Sequence, residues 1–194
     1  MTPKQKERIQ NKIKQIRKEI YEEKKRWGGY HDGRGLRYIP FELYLQIQDF
    51  KGGLTYLRWF TKTFPEDIGM PTITLMSSLI YFKNNKIKDA EKKALQTLFA
   101  DSSVLDIFMS RPIQNENESN FDLKSIKNFF LELEKQNDLT DFKKWLTEFE
   151  KSESYKNYRI EYQSLREKQK TETSQPLRDK LFDEIIILQR LDNY

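Results

Sequence analysis

The chain has 194 residues, of which 37% are hydrophobic and 13% aromatic, with a mean hydropathy of −0.86 and a formal net charge of +5. That length can bury a helical core without cross-links, and the aromatic content is unlike that of disordered proteins. The absence of cysteine excludes disulfides, thiolate metal sites and thiol nucleophiles, and a single histidine excludes sites built on two imidazoles.

Thr2-Pro3-Lys4-Gln5 reads as a helix start, with Thr2 as cap, Pro3 at the first helical position and Gln5 closing a capping box. Ile9, Ile13, Ile16 and Ile20 then fall on one stripe, with Lys and Arg over the rest of the circumference. Gly28-Gly29 ends this helix, and residues 27–37 hold four of the seven glycines. A second helix is expected from Pro40 through Phe50, stopping at Lys51-Gly52-Gly53 in a left-handed glycine cap. A third follows on Leu54, Leu57, Phe60 and Phe64, ended by Pro65. Met70-Pro71 opens a fourth that runs to Asn84-Asn85, and a fifth spans about residues 87–99. Ser102 or Ser103 caps a short helix ending near Arg111-Pro112.

Residues 114–120 have no apolar member and form the clear linker. It separates an N-terminal body, residues 1–113, from a C-terminal helical segment, residues 121–194, packed on it within what is by default a single domain. Residues 121–136 and 140–151 read as a helical hairpin on Ile126, Phe130 and Leu133, then Phe142, Trp145, Leu146 and Phe149. A charged helix on Tyr155, Tyr158 and Tyr162 and a last one on Leu177, Leu181 and Ile185 complete an all-α chain without strand alternation. No run approaches the roughly 18 apolar residues of a membrane span, and the Lys-rich start never reaches the apolar stretch of a signal peptide. A cytoplasmic protein with no membrane partner is the expectation.

Helices two to five have a pair-turn-pair organisation with a period of about 34 residues, which resembles the tetratricopeptide family of helical repeats. The better match is residues 71–104, where Tyr81 and Ala90 stand at two signature positions and Asn85 occupies the turn. Ser78 and Thr97 replace the family's small residues there, and in residues 37–70 Leu57 does so. The resemblance covers residues 37–104 and implies stacked helix pairs that bind a protein or peptide, since such repeats usually serve as interaction scaffolds.

Catalytic constellations are weak. Gly28 to Arg37 has glycines that admit an anion and two arginines that could clamp one, but it follows a charged helix and lacks the lysine of a nucleotide-binding loop. It reads more simply as a connector with Trp27, Tyr30 and Tyr38 packed against it. His31-Asp32 lacks the further histidines of a metal dyad, and no serine elbow accompanies His31 as a general base. Glu22-Glu23 and Glu148-Glu150 sit among lysines on charged helix faces.

The rival signal is electrostatic. Residues 1–40 contain twelve Lys and Arg against five Asp and Glu, a net of +7, so the other 154 residues sum to −2. Lys12, Arg17, Lys18, Lys24 and Arg26 could track a phosphate backbone, although Glu7, Glu19, Glu22 and Glu23 interrupt the run.

The leading expectation is therefore a protein–protein interaction protein, an adaptor, an inhibitor or an immunity-type neutraliser. Its contact residues would be Tyr30, His31, Arg34, Arg37, Tyr44 and Trp59. The alternative is a nucleic-acid-associated protein using Lys12, Arg17, Lys18, Lys24 and Arg26. No enzymatic activity, catalytic residue, cofactor or metal is expected, and the oligomeric state stays open.

Overall fold

A computed structural model describes residues 1–30, 33–65, 67, 70–113, 119–192 and 194. The described residues form ten α-helices and no strand, packed as adjacent helix pairs. α1 (Pro3–Trp27) opens with the expected capping box, in which Gln5 N donates to Thr2 Oγ1 at 3.3 Å and Thr2 N to Gln5 Oε1 at 2.8 Å. It ends where Gly28 takes φ +73°, a conformation that costs glycine little. Ile13, Ile16 and Ile20 are buried, and the stripe packs on a 3-10 turn at Leu36–Tyr38 and on α2 (Ile39–Gln46).

The turn between α2 and α3 (Phe50–Thr63) is not where the glycines are. α2 stops at Gln46, Gln48 takes φ +54°, and Asp49 caps α3 by accepting from Gly52 N at 2.9 Å. Phe50 and Gly52-Gly53 therefore belong to α3, which corrects the reading of Gly52-Gly53 as the end of the second helix. An aspartate that satisfies free N–H groups starts a helix more effectively than glycine ends one here. The glycines serve close packing instead: a Cβ at Gly53 would lie 3.3 Å from Ile80 Cδ1 and 3.4 Å from Tyr44 Cβ.

α4 (Pro71–Lys83) and α5 (Ile87–Ala100) form the most intimate pair, joined by a turn with Asn85 at φ +56°. α4 is buried around most of its circumference, as a helix at the centre of a body must be. Its polar side chains are satisfied locally: Ser77 Oγ donates to Ile73 O at 2.7 Å and Thr74 Oγ1 to Pro71 O at 2.9 Å. Ser78 and Thr97, the two departures from the repeat pattern, both bridge the pair. Ser78 Oγ donates to Ala90 O at 2.8 Å, and Thr97 Oγ1 lies 2.9 Å from Thr74 Oγ1.

α6 (Ser102–Phe108) is capped by Asp101, whose carboxylate accepts from Ser103 N at 2.9 Å; Ser102 and Ser103, expected as caps, lie inside the helix. Of the linker, residues 114–118 lie outside the described residues. α7 (Leu123–Gln136) and α8 (Thr140–Lys151) follow, and Phe108 packs against both, its ring 5.2 Å from that of Phe130 and 5.7 Å from that of Phe142. Phe82 of α4 meets Phe142 at 5.4 Å, so the core of the N-terminal helices continues into the C-terminal ones. α9 (Glu153–Thr171) and α10 (Gln175–Arg190) pair with each other and lie on α5. Among the described residues, no helix is long and apolar enough to cross a membrane.

Candidate interaction surface

Tyr30 and Trp59 of the residues expected to bind a protein meet Arg17, Lys18 and Lys24 of those expected to bind nucleic acid on one side of α1. Tyr30, just beyond the end of α1, packs edge-on to Trp59 of α3 at 6.0 Å and against Phe64 at 5.2 Å. Trp59 also meets the fully buried Tyr56 at 5.1 Å, so the half-buried rings of Tyr30 and Trp59 continue the core outward beside α1. Two cations of α1 reach over these rings, Lys24 Nζ 4.9 Å above the Tyr30 ring and Arg17 Cζ 6.0 Å from the Tyr56 ring centre. Cation–π attraction of this kind adds about 0.5–1 kcal/mol at exposed sites while leaving the charge available.

Arg17, Lys18, Tyr21, Tyr30 and Trp59 together line a cleft of about 300 Å³. Tyr21 is 62% exposed. Its signal in the sequence is an aromatic one turn beyond Arg17 and off the isoleucine stripe. Trp27 is 64% exposed and does not pack against the connector as expected, whereas Tyr30 and Tyr38 do.

The charge balance of this face is more one-sided than the sequence suggests. Arg34 reaches back to α1, 3.3 Å from Glu23 and 3.7 Å from Glu19, and so neutralises two of the four acids that interrupt the basic run. Among the described residues no Lys or Arg of α1 takes part in an ion pair, and Lys12, Arg17, Lys18, Lys24 and Arg26 are all exposed. Glu19 and Glu23 are thus paired by a cation from outside the helix, and the α1 cations stay exposed, with Arg17 and Lys24 over aromatic rings.

Other expected contact residues are structural. Tyr44 is 7% exposed and stacks in the core near Tyr56, so it offers no surface to a partner; its neighbours on α2 gave no sign of which face would be covered. Arg37 donates from Nε to Asp67 Oδ2 at 2.9 Å and from Nη2 to Tyr38 Oη at 2.9 Å, while its plane lies over the Phe64 ring at 5.0 Å. Tyr38 in turn donates to Asp67 Oδ2 at 2.6 Å, and burial together with that carboxylate pushes its phenol above the ordinary range. This triad fastens the connector to the end of α3. His31 and Asp32 lie outside the described residues. Of the paired carboxylates, Glu150 accepts both arms of Arg111 at 2.7 and 2.9 Å, and Glu148 pairs with Lys151 at 2.8 Å. Among the described residues no group of three or more His, Asp or Glu could hold a metal ion.

The chain matches no protein-family model, and no curated protein or solved structure is significantly similar to it.

Proposed function

We propose that the protein is a non-catalytic binding protein that docks an acidic surface of another protein on the α1 face. The observation that carries this reading is the cleft in which Arg17, Lys18 and Tyr21 of α1 stand with Tyr30 and Trp59. Tyr, Trp and Arg gathered in a shallow concavity have the composition of an interface hot spot. The surrounding unpaired lysines favour acidic partners and accelerate encounter with them. The likeness of residues 37–104 to tetratricopeptide helix pairs supports the same reading, because such pairs usually act as scaffolds for recognition.

A second reading is favoured by the same cations. Lys12, Arg17, Lys18, Lys24 and Arg26 could neutralise phosphates while an unpaired base stacks on Tyr21 or Trp59, the arrangement of single-strand binders. Capture from a lysate of the source organism, with and without nuclease, separates the two. A stoichiometric protein that survives nuclease and is released by salt supports the first reading. Nucleic acid in the eluate, with all retained protein lost on nuclease treatment, replaces it with the second.

A further inference from the structure

α1 carries its apolar stripe further than the core that covers it. Trp27 stands seven residues after Ile20 and so on the same helix face, yet it is 64% exposed where Ile20 is 1% exposed. Lys25 and Arg26 beside it are also exposed, and neither is in an ion pair among the described residues. A bare indole with cations at its side has the make-up of an interface anchor, since Trp and Arg are the residue types that most often carry binding energy.

The opposite character occurs between α9 and α10. Leu165, Ile187 and Leu188 give a groove of about 420 Å³ its apolar walls, and Glu161, Glu184 and Asp192 give it charge; no Lys or Arg lines it. Among the described residues none of the three carboxylates is hydrogen-bonded or ion-paired, and Ile187 is 67% exposed. An apolar groove with only negative charge at its edge accepts a basic segment that carries an apolar side chain and repels an acidic one. The end of α1 is a segment of that chemistry, and within the folded chain Trp27 does not line the groove, so the copy that fills it is a second one.

We propose that the end of α1 of one copy docks in the groove between α9 and α10 of another. The Trp27 indole lies against Leu165, Ile187 and Leu188, and Lys25 and Arg26 face Glu161, Glu184 and Asp192. Knob and groove are different surfaces, so the contact is heterologous: each copy gives one and accepts one, and assembly runs on into a chain or closes into a ring. The contact makes no use of Arg17, Lys18 or Tyr21, so it does not rest on the reading of the α1 cleft.

Sedimentation velocity of the full chain at low salt tests this over concentrations from about 1 to 300 µM, the range in which one anchored contact saturates. The expected result is a weight-average mass that rises above the monomer with concentration and falls back when salt is raised to about 0.5 M. Trp27→Ala should weaken association about 30-fold or more. A groove variant with Glu161→Lys and Glu184→Lys should do the same. Mixing these two variants should then give a 1:1 dimer and nothing larger, because the groove variant still offers Trp27 and the Trp27 variant still offers an intact groove. Thermal unfolding of each variant checks its fold. Trp27→Ala, at an exposed helix end, decides alone if the groove variant unfolds early. A chain that stays monomeric over the whole range, with the groove left to a basic segment of some other protein, would overturn the proposal. So would undiminished association of Trp27→Ala, or a mixture of two folded variants that stays monomeric.

Discussion

The Tyr44 ring and Gly52 are in such close register that a Cβ added at Gly52 would stand 2.7 Å from Tyr44 Cε1 and would also collide with the carboxylate of Asp49. Asp49 is the cap of α3, so relief by moving it would release Gly52 N. Alanine is the better helix former by about 1 kcal/mol, but overpacking and loss of the cap cost more. Gly52→Ala should therefore destabilise the fold by about 1–3 kcal/mol in urea unfolding, and an unchanged or raised midpoint would show that the two helices can separate freely.

The same residues show where the sequence misleads. Two glycines after an apolar run look like a helix end, and only the long-range contact with Tyr44 and Ile80 explains why they lie inside one. Signals that act within one turn were legible: the Thr2 capping box, the ends at Gly28 and Asn85, and the isoleucine stripe. The interaction surface was legible only in parts. The cations of α1 could be read directly, but the pairing of Tyr30 with Trp59 spans 29 residues of chain and the service of Glu19 and Glu23 by Arg34 depends on how the connector folds back. Lys93 escaped notice because a lysine on an amphipathic helix reads as solvated until α10 is known to cover it.

Asp67 accepts from both Arg37 and Tyr38, and its side chain is 14% exposed. Removing it leaves two donors facing a half-buried seam, so Asp67→Ala should cost about 1–3 kcal/mol. Arg34 is 65% exposed, and Arg34→Ala should cost less than about 1 kcal/mol. Equal losses in the two variants, measured by thermal unfolding, would contradict this division between anchoring and surface charge.

Lys93 gives stability a pH dependence of predictable sign. Unfolded, it keeps its proton up to its ordinary value of 10.5; folded, it releases the proton near 8. Between those values the unfolded chain binds more protons, so this group makes stability rise with pH from about 8 toward 10.5. At pH 7 both states are protonated and the full cost of burial is present. Lys93→Met should flatten the slope between about pH 8 and 10 and stabilise the protein at pH 7 by about 2–3 kcal/mol. The comparison belongs below pH 10, because Tyr155 and Tyr194, both pushed up mainly by burial, lower stability above it.

The α9 and α10 pair is held thinly. Tyr155 and Ile185 are the buried residues within those helices, while Ile160, Phe182 and Ile187 are more than half exposed; α4 buries nine residues. The Tyr162 hydroxyl ties α9 to the end of α5 by donating to Phe99 O at 2.6 Å. Amide hydrogens of residues 163–184 should exchange well before those of α4, and Tyr162→Phe should accelerate them further. Exchange of α9 and α10 at the rate of α4 would show that they belong to the same cooperative unit.

The most direct test of the binding role compares two baits in nuclease-treated lysate. One carries Arg17→Glu, Lys18→Glu and Tyr21→Ala on the α1 face; the other carries Lys124→Glu and Lys127→Glu on α7, equally exposed and distant in sequence. All five substituted side chains are exposed, and Arg17 alone reaches a core ring, that of Tyr56 at 6.0 Å, so thermal unfolding of both baits should stay cooperative and is the check that loss of a partner is not loss of fold. The α1 variant should lose a protein partner that the unsubstituted chain and the α7 variant both retain. Full retention by the α1 variant, or failure of the unsubstituted chain to hold any nuclease-resistant protein, would contradict the assignment of this face.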